Sequence, residues 1–297
     1  MTPALMGDSE QIKLERGDGA VLARFKAGPI AEGGARLADL YQASPGRALQ
    51  PRPEPGEAAC MVLLTTSGGL TGGDRLRLDI TAEADASLMV MAQAAEKVYR
   101  SASNDADTRL TQRLEVQSGA RVEWLPQETI LFDGARLHRS FDIHLADQAG
   151  MAGPWALVGD ITVFGRVARG ESFSQGRLFD HWQVFRAGRL IWTDRLGLDG
   201  DIPAVLGHPA GFDGARAQGS ILCAGLDEAA QLAALENLRA GFEGLAVRCA
   251  ATRIGGLLLV RMLGPDPAML RQAFGLAWSH LRSLAGWAQA MPRLWLR

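Results

Sequence analysis

The chain has 297 residues, 47% of them hydrophobic, three cysteines and a formal net charge of −2. A chain of this size buries a core large enough to fold without disulfides or a structural metal. Its near-neutral charge supplies no positive field for a nucleic-acid backbone or an anionic membrane, so neither is expected as a partner.

Residues 1–18 are read as a flexible N-terminal segment; Met1 to Glu10 has neither the basic region nor the apolar run of a secretory signal, so none is expected. The expected location is the cytoplasm. Cys60, Cys223 and Cys249 lie far apart and form no CxxC pair, which fits reduced, buried thiols. The apolar run Leu257 to Val260, closed by Arg261, is too short to span a membrane.

From about residue 20 to 200 the pattern has period two, the signature of strands with one face on a core. The proline-rich stretch Ser44 to Pro55 reads as an exposed loop or extended segment. Leu76, Leu78 and Ile80 alternate with Arg77 and Asp79; Leu110, Leu114 and Val116 share one parity, as do Val122 and Trp124, then Phe141, Ile143 and Leu145. These runs read as short strands of antiparallel type. Trp182 and Val184, then Leu190 and Trp192, flank a predicted hairpin turn at Arg186–Arg189, where Gly188 permits a positive φ. Two helices follow. Asp227 caps the first, which carries Leu232, Leu235 and Leu238, should cover a sheet, and ends with Gly241 in a left-handed conformation. Asp266 and Pro267 start the second, with Leu270, Phe274, Ala277, Trp278, Leu281 and Leu284 on one face. Gly275 inside it costs ~1 kcal/mol relative to alanine, so packing must hold that helix together.

Four glycines in six residues, Gly68, Gly69, Gly72 and Gly73, precede Asp74. Gly68 and Gly73 have the spacing of a phosphate loop, but Asp74 stands where the lysine is needed and a strand follows, so the segment is read as a turn or bulge. Glu96, Lys97, Tyr99 and Arg100 form a second cluster, in a chain with only three lysines among 31 basic residues. An exposed Glu96–Lys97 ion pair is its ordinary reading. Glu123, Trp124, Gln127, Glu128 and Asp133 combine an aromatic surface with carboxylates, which fits a partner interface or a core strand running into a loop. The five histidines are scattered without ligand spacing, and no GxSxG or cysteine–base pattern occurs. A hydrolase or transferase using Asp74 and Glu96 as acid and base, and a stable metal-binding protein, are the alternative readings.

Taken in order, Gly68–Asp74 (GGLTGGD), Ala94–Ser101 (AAEKVYRS), Glu123–Ile130 (EWLPQETI), Phe164–Glu171 (FGRVARGE) and Pro292–Trp295 (PRLW) resemble the signature of the urease accessory protein family UreD, also called UreH. The resemblance covers roughly residues 20 to 297. It departs at Leu70-Thr71, where Ile-Val is common, at Met91-Ala92, where a threonine often precedes the glutamine, and at the terminal Leu296-Arg297. The resemblance implies a mainly β fold of packed sheets in a helical or sandwich-like arrangement, with two α-helices in the C-terminal half, as one UreD-like domain over residues 1–297. It implies no catalytic residue and no stable cofactor, with nickel only in transit. The implied partners are UreF, UreG through UreF, and apo-urease. Besides the clusters above, it marks Thr71, Gly165, Arg166, Glu171, Arg293 and Trp295 as motif, path or interface residues.

Overall fold

The computed structural model describes residues 16–102, 106–147, 153–288 and 290–296. Of the expected N-terminal segment, residues 1–15 lie outside the described residues, whereas Gly17 donates its amide to Asp74 and Asp18 opens the first strand.

In chain order the strands are β1 (Asp18–Ala27), β2 (Ala35–Ala43), β3 (Gly46–Leu49), β4 (Ala59–Thr65), β5 (Arg75–Ala82), β6 (Ser87–Ala92), β7 (Glu96–Val98), β8 (Thr108–Val116) and β9 (Arg121–Leu125). They continue as β10 (Glu128–Leu131), β11 (Arg136–Leu145), β12 (Trp155–Phe164), β13 (Arg177–Arg186), β14 (Arg189–Leu198), β15 (Ala217–Ala224), β16 (Arg248–Ile254) and β17 (Leu257–Gly264). The helices are α1 (Ile202–Gly207), α2 (Glu228–Gly241), α3 (Pro267–Leu284) and α4 (Arg293–Leu296). The fold is mainly β, as expected.

Sheet one has seven strands in the order β14-β13-β11-β8-β5-β1-β2, and sheet two has ten, following β16-β17-β15-β12-β9-β6-β4-β3 with β7 and β10 attached. From β4 to β13 the chain crosses between the sheets at every step except β6 to β7 and β9 to β10. Within that stretch consecutive strands do not pair, and the central strands β5, β8, β11 and β13, and β4, β6, β9 and β12, each lie parallel to the strand one coil away. Leu76 stands beside Leu110 and Leu110 beside Arg139 in sheet one; Leu88 stands beside Val122 and Val122 beside Ala156 in sheet two. The antiparallel expectation is thus wrong for the centre of both sheets and right only at their flanks. Alternation reports which face is buried, not which way the neighbour runs.

The inward faces of both sheets share one core, in which Phe141 of sheet one meets Trp124 of sheet two at 4.9 Å between ring centroids. The outer face of sheet two is covered by α2 and α3, so β12 is buried on both sides along nearly its whole length. Sheet one has charged residues on its outer face and reads as clean alternation.

The Asp227 and Asp266 carboxylates accept the amides of Ala230, and of Ala268 and Met269. The hairpin forms at Arg186–Arg189, with φ of 47° at Ala187 and 75° at Gly188. Gly241 does not end α2 in a left-handed conformation; it belongs to the helix, and the positive φ falls at Gly244. Leu232 and Leu284 point outward, because the buried stripes run through Gln231, Ala234 and Leu238 on α2 and through Leu270 to Arg282 on α3. The proline-rich segment is extended in part, as one of its two readings had it: Gly46–Leu49 pairs with β4 as β3.

Candidate functional site

Between the sheets the core gives way to a polar seam. On β11 the inward parity of Leu137, Phe141 and Ile143 includes Arg139, and on β13 that of Leu178 and Trp182 includes Asp180. Asp160 of β12 faces them from sheet two. Arg139 donates to Asp160 from Nη1 and Nη2 at 2.6 and 2.7 Å, and to Asp180 from Nε and Nη2 at 3.0 and 2.6 Å. The hydroxyls of Thr129 and Thr162 complete the shell at 3.3 Å, so every N–H of the guanidinium has a partner. Burial and the neighbouring Asp180 raise the Asp160 pKa against the pull of Arg139. Burial works to lower that of Arg139, but Asp160 and Asp180 together hold it above its ordinary value.

A cavity lies on each side of this cluster. The larger, about 300 Å³, is bordered by Arg139 and Asp160 and opens past Gly68, Gln93 to Lys97 and Gln127. The smaller, about 100 Å³, is bordered by Asp160 and Asp180 and reaches the Asp194–Arg261 ion pair, 2.6 Å apart. In the larger cavity Glu96 accepts from Thr65 at 2.8 Å through Oε2, while its buried Oε1 has no hydrogen-bond partner. Burial raises its pKa above the usual carboxylate range. The Glu96 carboxylate is thus held by Thr65, and Lys97 is exposed beside it.

The glycine-rich loop is a structural turn. Its Leu70 amide donates to the Lys97 carbonyl at 2.7 Å, and the Tyr99 hydroxyl donates to the Gly68 carbonyl at 2.9 Å. Gly69, at φ 146°, lies so close that a Cβ would meet the Tyr99 ring at 2.6 Å. Thr71 donates to the Arg100 carbonyl, Gly72 completes the turn, and Gly73 has a φ of 87°. Asp74 takes the amides of Gly17 and Thr71 at 2.7 and 2.8 Å, so its carboxylate is occupied outside the cavity that holds Glu96.

Further along, Arg100 pairs with Asp133 at 2.9 Å, and Asp133 also takes the Ser174 and Gln175 amides, which hold its pKa low despite desolvation. The Asp133 amide donates to Glu171, itself paired with Arg166. Gly165, at φ 98°, lets the Glu171 backbone approach to 2.4 Å of where a Cβ would sit. Three sequence motifs are thereby stapled into one network.

On the helix side, Glu123 and Glu57 share Arg282, with Glu123 Oε1 at 2.9 Å from Nε. Trp124 faces inward and borders the larger cavity. Gln127 and Glu128 accept from Arg271 at 2.7 and 2.6 Å, while the Arg271 guanidinium lies 3.8 Å from the Trp295 ring centroid. Trp295 donates from Nε1 to the Pro126 carbonyl, and Arg293 lies exposed, 3.5 Å from Glu54. The C-terminal motif is a clasp on the Glu123–Ile130 segment.

Of the sequence-predicted residues, Gly68, Glu96, Lys97, Trp124 and Gln127 border the larger cavity, and the others belong to the glycine-rich turn, the Arg100–Asp133–Glu171 network, the Arg282 pair and the C-terminal clasp. Sequence reasoning passed over Arg139, Asp160, Asp180, Glu57 and Arg282. The signal was a charged residue on an apolar parity, plainest at Arg139 between Leu137 and Phe141. Among the described residues no group of three or more histidine, cysteine or acidic side chains could hold a metal ion, and no helix is long and apolar enough to cross a membrane. Cys60 and Cys223 are buried, as expected of packing cysteines, whereas Cys249 is half-buried; burial pushes the Cys60 thiol up to about 12 and that of Cys249 to about 11. What the seam offers is two aspartates held by one buried arginine, with a cavity bordering each end of the cluster.

The model of the family described as UreD urease accessory protein matches residues 18–296. The chain is 47% identical over 268 residues to the urease accessory protein UreD of Magnetococcus marinus, covering 89% of each chain. It is 39% identical over 289 residues to the urease accessory protein UreD 2 of Methylorubrum populi, covering 95% of this chain and 91% of that one. Against a UreD of Rhodopseudomonas palustris the identity is 36% over 298 residues and 99% of both. By family match and by identity along its length, the chain belongs to the UreD family of urease accessory proteins.

Proposed function

We propose that the protein is a cytoplasmic, non-catalytic scaffold that binds UreF, is joined through UreF by the GTPase UreG, docks on apo-urease and conducts nickel toward its active site. The observation that carries this reading is the polar seam between the sheets. A protein needed only as a surface has no use for an interior lined by Glu96, Asp160 and Asp180, since burying such groups costs stability that apolar packing would not. Carboxylate oxygens hold a divalent ion without the tight, closed ligand set that would trap it, which suits cargo rather than a resident cofactor.

The face for UreF is the outward side of α3 with α4, where Met269, Leu276, Leu284, Leu294 and Leu296 are exposed on a segment whose inward side is fully committed. Exposed apolar side chains grouped in this way fit a protein interface.

The test is a wedge. Ala95 borders the larger cavity at its mouth, and Ala95→Trp should cut urease activation at least tenfold in cells expressing the urease genes, while UreF and apo-urease still co-purify with the variant. Full activation by folded Ala95→Trp protein would sink the conduit reading and leave the scaffold.

A further inference from the structure

Both cavities end on the Arg139–Asp160–Asp180 cluster. Asp160 borders both, Arg139 borders the larger and Asp180 the smaller, so the cluster fills the place where the two approach. We propose that Arg139 is the plug of this passage, and that a divalent cation advances by taking Asp160 and Asp180 from it. The proposal rests on the conduit reading and adds how the path is kept shut.

Charge argues for exchange. One arginine between two carboxylates leaves the ionised cluster with a surplus negative charge, whereas a divalent cation between them balances it. Position argues for a plug: Arg139 and Asp180 stand on sheet one and Asp160 on sheet two, so the guanidinium spans the gap. With all its donors engaged it has one well-defined seat.

Room argues that the seat can be left. The larger cavity gives the side chain about 300 Å³ on one side, and Glu96 on its wall carries a carboxylate oxygen with no present partner. A buried ion cluster is weak evidence for stability, because apolar residues of similar volume commonly serve as well or better. A cluster with empty space on both sides is better suited to moving.

The test measures initial rates of urease activation at limiting NiCl₂, in cells expressing the urease genes with this full-length chain. Arg139→Lys keeps the charge but cannot bridge both carboxylates in fork geometry, and it should raise the rate at least twofold, an effect that structural damage would not produce. Asp180→Asn, which removes half of the cation's seat, should lower it at least fivefold with the melting temperature retained. Should either variant fail to fold, Thr162→Val decides in its place, since it removes a hydroxyl that holds the guanidinium and should act as Arg139→Lys does. A rate at or below wild type for folded Arg139→Lys, or an unchanged rate for Asp180→Asn, overturns the plug. If this happens while Ala95→Trp still blocks activation, the conduit stands and only the plug falls; if Ala95→Trp does not block, both fall.

Discussion

Glu123 shares one guanidinium with Glu57, and burial holds its pKa up at about 7 although Arg282 pulls the other way. The ordinary value is 4.5. Between those two pH values the native state keeps a proton that the unfolded state has released. Its contribution to stability is therefore fully present below pH 4.5 and lost as pH rises through about 7, a change of at most ~3 kcal/mol. Glu123→Gln removes the titration while keeping the shape. Urea denaturation of both proteins from pH 5 to 8 should show the wild-type advantage over the variant shrinking as pH rises. His144 and His280 have pKa values lowered by burial and act in the opposite sense, but they are present in both proteins and cancel. A difference that stays constant would mean that Arg282 keeps Glu123 ionised throughout. Glu123 could be picked out in the sequence as a motif carboxylate; its partner Arg282 could not. The two are 159 positions apart and joined only by the packing of α3 on sheet two.

That packing depends on two glycines whose roles differ. Gly159 on β12 faces α3, and a Cβ there would meet the Phe274 ring at 2.6 Å and Trp278 at 2.7 Å. Gly275, inside α3, has Trp295 at 3.4 Å, an ordinary contact distance. Gly159→Ala should therefore force the helix off the sheet at about 1–3 kcal/mol. Gly275→Ala should recover up to ~1 kcal/mol of helix propensity, its methyl resting on the C-terminal clasp. Urea denaturation of the two variants should give opposite signs, and equal losses would place Gly275 in tighter contact than its distance states. At this scale the start of each helix could be read from the chain, because a cap is a contact between neighbours in sequence: Asp227 and Asp266 do what their positions imply. The inward face could be read only in part. Leu232 and Leu284 fit a helical stripe by spacing, but the sheet receives Gln231 and Arg282, whose polar atoms find carbonyl and carboxylate partners that sequence does not display.

At the scale of the whole molecule, alternation revealed strands and hid their order. Each parallel neighbour lies a full coil away, as Leu76 does from Leu110, and successive coils share geometry without sharing residues, so no repeat is visible. The polar seam was hidden for a related reason. Arg139, Asp160 and Asp180 sit on three strands from two sheets, and only the coil brings them to one height. The same topology dictates how the molecule opens. Strands with neighbours on both sides, β8 and β11 in sheet one and β9 and β12 in sheet two, cannot expose their amides without breaking two ladders, whereas β2, β3, β14 and β16 border on one side only. Local openings of low free energy belong to the edges, and the centre exchanges through larger openings. Native-state hydrogen exchange should therefore rank amides by distance from the sheet centres, with β2, β14 and β16 losing protection first and β11 and β12 last. On the rim of the larger cavity, Ala94 and Ala95 lie outside the ladders and should exchange with the edges, whereas the Gln93 amide is held by the Leu63 carbonyl. Uniform protection across both sheets would show that the coil opens only as a whole.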